Sequence, residues 1–248
     1  MKRISILFAI LLFSFAKVNA QTQHQNSGWL FFLNSTKFNE KWGLHLDVQL
    51  RSADDWDHLR NTLIRPGLTY YINKNQNVTL GYALVQTYFK DLSLFDATSG
   101  IVAKSTINEQ RIWEQYILTH KIKSVFASHR FRLEQRFVER NFVATNTDPD
   151  YFSQRLRYFF RLIKPLQKAT PTFTKGAFVA LQNEVFLNIQ NKEKVNNSLF
   201  DQNRLYLAGG YRFSKSFDLE LGYLNQAQHG AQNNTINNVV QFAIYTRF

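Results

Sequence analysis

Hydrophobic and polar residues alternate one by one along most of this chain. In the clearest segment, residues 42–51, a polar residue or a glycine separates the apolar positions Trp42, Leu44, Leu46, Val48 and Leu50. Successive side chains of a β-strand point to opposite faces, so the alternation predicts a strand with one apolar and one polar face. Ten further segments repeat this period with varying strictness: 28–38, 60–72, 77–88, 109–120, 126–138, 154–166, 177–188, 202–213, 217–226 and 236–248.

The connections between these segments alternate in length. Tight turns are expected at 39–41, 73–76, 121–124 and 214–216, and longer polar connections at 53–58, 89–108, 139–150, 189–201 and 227–235. Only the connection at 167–174 is long where a short turn is expected. Outer-membrane β-barrels have short periplasmic turns and long external loops, and a soluble β-sandwich has no reason to separate the two lengths. The pattern therefore predicts an all-β chain folded as a transmembrane, antiparallel, up-and-down β-barrel.

The number of strands does not follow directly from the number of alternating segments. Eleven segments alternate, but single-chain bacterial barrels have an even number of strands. We therefore expect about twelve strands, with ten as the alternative. Residues 21–27 are too few for another spanning strand, so segment 28–38 either begins inside the lumen or is not a full strand. Pro66 has no N–H to donate to a ladder and predicts a bulge or a local break in its strand.

The start of the chain has the features of an export signal. A basic pair at residues 2–3 precedes an apolar stretch at 4–16 and a small-residue cleavage site at 18–20. This order predicts a cleaved secretory signal peptide over residues 1–20, which is too short to span a membrane as a helix. A single barrel domain is expected over residues 21–248.

The last segment resembles the signal by which outer-membrane barrels are recognised for assembly. Its apolar face is formed by Val240, Phe242, Ile244 and Phe248, although Thr246 stands where an aromatic residue is usual. The predicted location is therefore the bacterial outer membrane. The expected partners are outer-membrane lipid and the barrel assembly machinery.

Composition is consistent with a span built from strands. Beyond the signal peptide, no run approaches the roughly 18 apolar residues of a helical span, and the mean hydropathy is −0.32. Aromatic residues nevertheless make up 15% of the chain, with 23 Phe and 11 Tyr. The absence of cysteine excludes disulfides and thiolate metal sites.

Many charged residues fall on the polar faces of the predicted strands. An Arg or Lys facing lipid at mid-membrane depth costs about 2–4 kcal/mol, so these residues are expected to face the lumen. They are Arg130, Arg132, Glu134, Arg136, Arg155, Arg157, Arg161, Glu184, Arg204, Arg212, Asp218 and Glu220. They could form a packed network of salt bridges that fills a narrow barrel. Alternatively, they could form a basic lining that attracts small anions or lipid phosphates, because guanidinium groups suit carboxylate and phosphate.

Catalytic and nucleic-acid functions find little support. Ser128 and His129 are adjacent on a strand and therefore point to opposite faces. His120 and His129 could approach each other across a tight turn, but the chain has no P-loop, nucleotide fingerprint or HExxH motif. The arginines alternate with lipid-facing residues, which does not match a nucleic-acid surface. We expect no enzyme activity, no cofactor, no metal site and no nucleic-acid partner.

Several segments resemble an outer-membrane barrel family catalogued as domain of unknown function 2490. They are residues 200–226 (FDQNRLYLAGGYRFSKSFDLELGYLNQ), 238–248 (NVVQFAIYTRF), 109–115 (EQRIWEQ) and 129–137 (HRFRLEQRF). The resemblance implies a secreted outer-membrane β-barrel without an established activity, and it carries over no site residues. We therefore expect a narrow small-solute channel or a structural envelope protein with an Arg-rich lumen. The alternative is a barrel enzyme or a protein that binds lipid or phosphate.

Overall fold

A computed structural model of the chain describes residues 22–89, 95–96, 101–102, 106–139, 150–167 and 172–248. The predicted signal peptide at residues 1–20 lies outside the described residues. The strands are β1 (Thr22–Lys37), β2 (Trp42–Ala53), β3 (His58–Asn73), β4 (Gln76–Tyr88), β5 (Phe95–Asp96), β6 (Ile101–Val102), β7 (Thr106–Ile122), β8 (Val125–Val138), β9 (Tyr151–Pro165), β10 (Gly176–Gln190), β11 (Phe200–Ser214), β12 (Phe217–Gln228) and β13 (Asn234–Arg247). Two single-turn 3-10 helices occur at Asp54–Trp56 and Lys192–Lys194. Across the described ranges, no helix is long and apolar enough to cross a membrane.

Eleven of these strands close into one barrel, and each corresponds to one of the eleven alternating segments. Around the barrel the order is β1-β13-β12-β11-β10-β9-β8-β7-β4-β3-β2, while β5 and β6 pair only with each other. Neighbouring strands are antiparallel everywhere except between β1 and β13, which are parallel. The all-β barrel is confirmed. The alternation of connection lengths holds only in part, because β1–β2 and β2–β3 are joined by connections of equal length, 38–41 and 54–57.

The expected strand numbers, twelve and ten, are both wrong. The even number follows only when every neighbouring pair is antiparallel. Here β1 and β13 run in the same direction and pair from Thr22↔Asn234 to Ser35↔Arg247. We call this β1–β13 pairing the parallel seam. An odd number of strands can close in this way because one parallel pair replaces an antiparallel one.

Pro66 causes a local break and not a bulge. The β3–β4 pairing is interrupted between Ile64↔Leu84 and Gly67↔Gly81, and the register is the same on both sides of the gap. Tyr82 stands opposite Pro66 in this register, and its carbonyl oxygen accepts a hydrogen bond of 3.1 Å from the indole Nε1–H of Trp113. A side chain therefore supplies the donor that proline lacks.

The two faces of the barrel differ sharply. Every barrel strand contributes exposed apolar side chains to the outer face, including Leu30, Leu44, Ile64, Leu80, Ile112, Phe131, Leu156, Leu181, Leu207, Leu221 and Phe242. The inner face is mostly polar and charged. A small apolar cluster inside the barrel is formed by Trp29, Phe173, Phe178, Ala180, Tyr206, Ala208, Leu224 and Val239.

Candidate functional site: the charged interior

The structure places the twelve charged residues singled out from the sequence inside the barrel. With further residues they form what we call the interior network. Its twelve arginines are Arg51, Arg65, Arg111, Arg130, Arg132, Arg136, Arg155, Arg157, Arg161, Arg204, Arg212 and Arg247. Its seven carboxylates are Asp47, Glu109, Glu134, Glu184, Asp201, Asp218 and Glu220. The network therefore carries five more positive than negative charges when all groups are ionised.

Glu134 lies at the centre of this network and is completely buried. Arg155 donates to it at 2.7 Å and Arg157 at 2.5 Å. A third guanidinium, that of Arg111, lies 3.6 Å away. The Glu134 carboxylate on β8 thus holds together arginines from β7 and β9, the two strands that flank it.

Glu184 extends the network from this centre. Its Oε1 accepts from Arg157 at 2.7 Å and from Arg130 at 2.6 Å. Arg157 therefore bridges the carboxylates of Glu134 and Glu184. The end of the barrel that carries the longer connections is called the loop end. There, Glu109 is paired in a similar way with Arg111 at 2.7 Å and with Arg136 at 2.5 Å.

A second group of ion pairs lies toward the tight turns. Arg212 binds Asp218 through two hydrogen bonds of 2.8 Å, and Arg247 contacts the same carboxylate. Arg161 pairs with Glu220 at 2.5 Å. These pairs connect strands on one side of the barrel near its turn end.

Sequence reasoning did not single out several members of the network. Asp47 and Arg65 form a buried pair at 2.6 Å, and Asp201 accepts from Arg155 at 2.8 Å. The signal was available in part, because the alternation already put Asp47 on the polar face of its strand.

Three arginines of the network have no carboxylate within 4.0 Å in the described part of the chain, and aromatic rings hold them instead. Arg132 lies 4.3 Å from the ring centre of Trp113 and donates to Gln115. Arg204 lies 4.7 Å from the ring of Phe186, and Arg51 lies 4.0 Å from that of Trp29. Cation–π contacts of this kind contribute about 2 kcal/mol where the cation is desolvated.

Two interior cavities in the described part of the chain lie on opposite sides of the barrel centre. The loop-end cavity has a volume of about 320 Å³, and the turn-end cavity has a volume of about 740 Å³. Four buried side chains line both cavities: Trp29, Arg65, Arg157 and Arg204. We call these four residues the dividing layer, because each of them lines both cavities.

The histidines weighed as a catalytic pair do come together, but on the outer face. The rings of His120 and His129 stack with their centroids 5.1 Å apart, and His129 Nδ1 lies 2.8 Å from the Tyr158 hydroxyl. Ser128, in contrast, lines the turn-end cavity on the opposite face of its strand. No group of three or more His, Cys, Asp or Glu residues that could hold a metal ion occurs within the described ranges.

Residues 26–237 match the model of a family described as Protein of unknown function (DUF2490). The chain belongs to this family. No curated protein and no solved structure matches the chain. The match confirms the resemblance drawn from the sequence. The DUF2490 match spans most of the barrel and all twelve predicted interior charges, but most of β13 lies beyond it.

Proposed function

We propose that this protein spans the bacterial outer membrane as a closed, non-conducting β-barrel with a structural role in the envelope. The observation that carries the proposal is the combination of an apolar outer face with a charged interior in which the dividing layer lies between two cavities. We propose no catalytic role for the protein.

The apolar outer face supports a membrane location. Exposed Leu, Ile, Val, Phe and Tyr side chains encircle the barrel, as on Leu80 (59% exposed) and Leu207 (61% exposed). A water-soluble monomer rarely exposes an apolar patch larger than a few hundred Å². The barrel strands are 12–17 residues long, and about 9–11 residues suffice for a tilted strand to cross the bilayer core.

Export and assembly belong to the same proposal. We expect residues 1–20 to direct secretion and to be cleaved. Val240 and Phe242 are exposed on the outer face of β13, where the assembly machinery could contact them together with Ile244 and Phe248. Outer-membrane lipid would then cover the apolar face.

The dividing layer supports a closed barrel. Arg65 and Arg157 are each held by a carboxylate, at 2.6 Å from Asp47 and 2.7 Å from Glu184. Arg204 fills the space between two aromatic rings, 5.1 Å from Trp29 and 4.7 Å from Phe186. Buried ion pairs with good geometry are costly to separate, so a water path would not open spontaneously through this layer.

An anion-selective channel is the second candidate. The specific observation in its favour is the excess of five arginines in the interior network, with a cavity on each side of a single dividing layer. Movement of that layer would join the two cavities. The resulting path would attract anions, because a cleft lined by one sign of charge concentrates counter-ions.

Current measurement in a planar bilayer separates the two candidates. The mature chain is refolded, inserted and compared with Arg204→Ala, which opens the dividing layer, and with Arg51→Ala. Arg51 is the matched control because it also stacks on Trp29 and has no carboxylate partner in the described residues, but lines only the loop-end cavity. We expect current only from Arg204→Ala. Discrete anion-selective openings in the unmodified protein would refute the closed barrel and support the channel.

Insertion itself is tested separately. The refolded protein is mixed with lipid vesicles, and its flotation and protease protection are measured. We expect co-flotation with protected strands. A protein that stays with the aqueous fraction would refute the membrane location.

A further inference from the structure

We propose that the turn-end cavity binds a small amphipathic anion, in which a carboxylate or phosphate group is attached to an apolar body. The cavity has a volume of about 740 Å³. Small-molecule sites commonly have volumes of about 300–1,000 Å³, so a ligand of this kind fits. Charge, unpaired donors and apolar walls each support this ligand class.

The charge of the lining favours an anion. Ten basic residues line the cavity: Lys37, Arg65, Lys74, Arg130, Arg157, Arg161, Arg204, Arg212, Lys215 and Arg247. The acidic residues in the lining are Asp47, Glu184 and Asp218. Even with the nearby Glu220, which pairs with Arg161, the bases remain in clear excess. A low-dielectric cavity of one sign strengthens the attraction for an opposite charge.

Unpaired hydrogen-bond donors at the inner end of the cavity indicate where the acid group would bind. Arg65 Nε, Gln115 Nε2 and Arg130 Nε are buried and have no hydrogen-bond partner among the described residues. The residues Arg65 and Gln115 are only 2% and 3% exposed. An unsatisfied buried donor costs about 1–3 kcal/mol, and an oxyanion has several lone pairs with which to accept from donors of this kind.

The orientation of the Gln115 amide is fixed by its neighbour. Its Oε1 accepts two hydrogen bonds from Arg132, at 3.1 Å and 2.6 Å. The opposite side of the amide must therefore present the NH₂ group. Gln115 thus offers a donor, as an anion requires, and not an acceptor.

Apolar side chains make up part of the same wall. They are Phe31, Leu33, Ile117, Phe159 and Ile163, and all of them line the cavity. Inorganic phosphate or sulfate would gain nothing from these residues. An alkyl or aryl body bound against them would remove apolar surface from water, at roughly 25 cal/mol per Å². This wall is the reason for proposing an amphipathic anion over a simple one.

Three lysines mark the entrance at the tight turns. Lys37, Lys74 and Lys215 lie at or beside the turns that join the barrel strands at this end, and each lines the cavity. They would attract an anion before it reaches the inner donors. The expectation that this entrance faces the periplasm rests on the proposed function. The binding of the anion does not, because it depends only on the interior of the folded barrel.

Titration calorimetry on the refolded mature chain tests the site. The probes are octanoate and octyl phosphate, with 1-octanol and inorganic phosphate as partial ligands, and protein-free micelles of a non-ionic detergent as the blank. We expect at least one of the two amphipathic anions to bind at least about tenfold more tightly than either partial ligand. Binding of octanoate alone would indicate carboxylic acids as ligands, and binding of octyl phosphate alone would indicate lipid-derived phosphates. If 1-octanol binds as tightly as both anions, the proposal is wrong.

Two arginines on the same strand provide a matched comparison. Arg130 and Arg136 are both interior residues of β8 and each pairs with a glutamate, at 2.6 Å and 2.5 Å. Arg130 lines the turn-end cavity and Arg136 does not. We expect Arg130→Met to weaken binding about tenfold or more, from the loss of one charge-assisted contact, and Arg136→Met to leave it unchanged. Equal losses in the two variants would overturn the proposal.

A third variant keeps every arginine in place, in case Arg130→Met does not fold. Ser128 lines the cavity beside Arg130, and Ser128→Asp introduces a carboxylate that competes with the ligand. We expect weaker binding by Ser128→Asp, and unchanged binding would contradict the proposal. Vesicle flotation tests the membrane location, and calorimetry tests the binding site. A barrel that binds octanoate but does not insert into vesicles would therefore refute only the proposed function.

Discussion

Replacing Glu134 with glutamine tests whether the interior network stabilises the barrel. The Glu134 side chain is completely buried and accepts from Arg155 at 3.0 and 2.7 Å and from Arg157 at 2.5 Å. Glutamine has nearly the same shape, so Glu134→Gln removes the negative charge without creating a cavity. The guanidinium groups would then face an amide, and the excess of positive charge inside the barrel would rise by one.

The expected loss of stability depends on which carboxylates Arg155 and Arg157 still contact in Glu134→Gln. Removing one partner of a buried ion pair costs about 3–5 kcal/mol in the free energy of unfolding, because the other charge is left buried. Here Arg155 keeps Asp201 at 2.8 Å and Arg157 keeps Glu184 at 2.7 Å. Since neither arginine loses all its carboxylates, we expect the lower end of this range, about 3 kcal/mol.

Glu114 supplies the control on the neighbouring strand. It pairs with Leu133, the residue next to Glu134, but faces outward and is exposed, with a hydrogen bond of 3.0 Å from Gln135. Glu114→Gln keeps that contact possible and leaves no buried arginine without a partner, so it should destabilise the barrel by less than Glu134→Gln does.

Both variants are refolded into the same detergent or lipid, and unfolding by urea is followed by the fluorescence of the four tryptophans. Mobility of unheated samples on an SDS gel gives a second measure of the folded fraction. Destabilisation by Glu134→Gln of less than about 1 kcal/mol, or no greater than that by Glu114→Gln, would refute the reasoning. It would mean that the carboxylate does not hold these arginines together.

Two further predictions test the packing and the closure of the barrel. Gly81→Ala should destabilise the barrel by about 1–3 kcal/mol in the same urea assay, because the added Cβ would lie 2.2 Å from the buried indole ring of Trp113. Gly209→Ala is the control and should not destabilise the barrel, because nothing lies within 4 Å of its added Cβ. Equal effects of the two substitutions would contradict this packing. For the parallel seam, the cysteine-free chain with Leu30→Cys and Phe242→Cys should form a disulfide on mild oxidation, because these residues are paired. The offset pair Leu30→Cys and Asn238→Cys should not, and a mass shift after alkylation distinguishes the two outcomes.

The barrel strands could be predicted from the sequence because each has to present an apolar outer face. In β2 this requirement produced strict alternation, and the structure follows it residue by residue. The start of β1 was missed because residues 22–27 carry no apolar alternation. That part of the strand is ordered by pairing with β13, from Thr22↔Asn234 onward. Such pairing depends on closure of the barrel and leaves no local pattern in the sequence.

The partners of the interior charges could not be predicted for a related reason. Alternation assigns Arg155 and Arg161 to the inner face, but Arg155 meets Asp201 two strands away, and Arg161 meets Glu220 three strands away. Contacts across the interior depend on the curvature of the wall, which is set by the number of strands. An expectation of twelve strands therefore cannot give the correct partners.

The parallel seam accounts for the strand number that the sequence did not give. A parallel ladder is slightly less stable per residue than an antiparallel one. In the parallel seam, side-chain hydrogen bonds supplement the backbone ladder. Asn34 Nδ2 donates to Thr246 Oγ1 at 2.8 Å, and Ser27 Oγ donates to Asn237 Oδ1 at 3.0 Å. Asn34, Asn237 and Thr246 lie in the first and last alternating segments, and Ser27 lies just before the first. Because the seam closes the barrel at an odd number of strands, here eleven, it contributes to the curvature that brings Arg155 to Asp201, so closure and the interior network depend on each other.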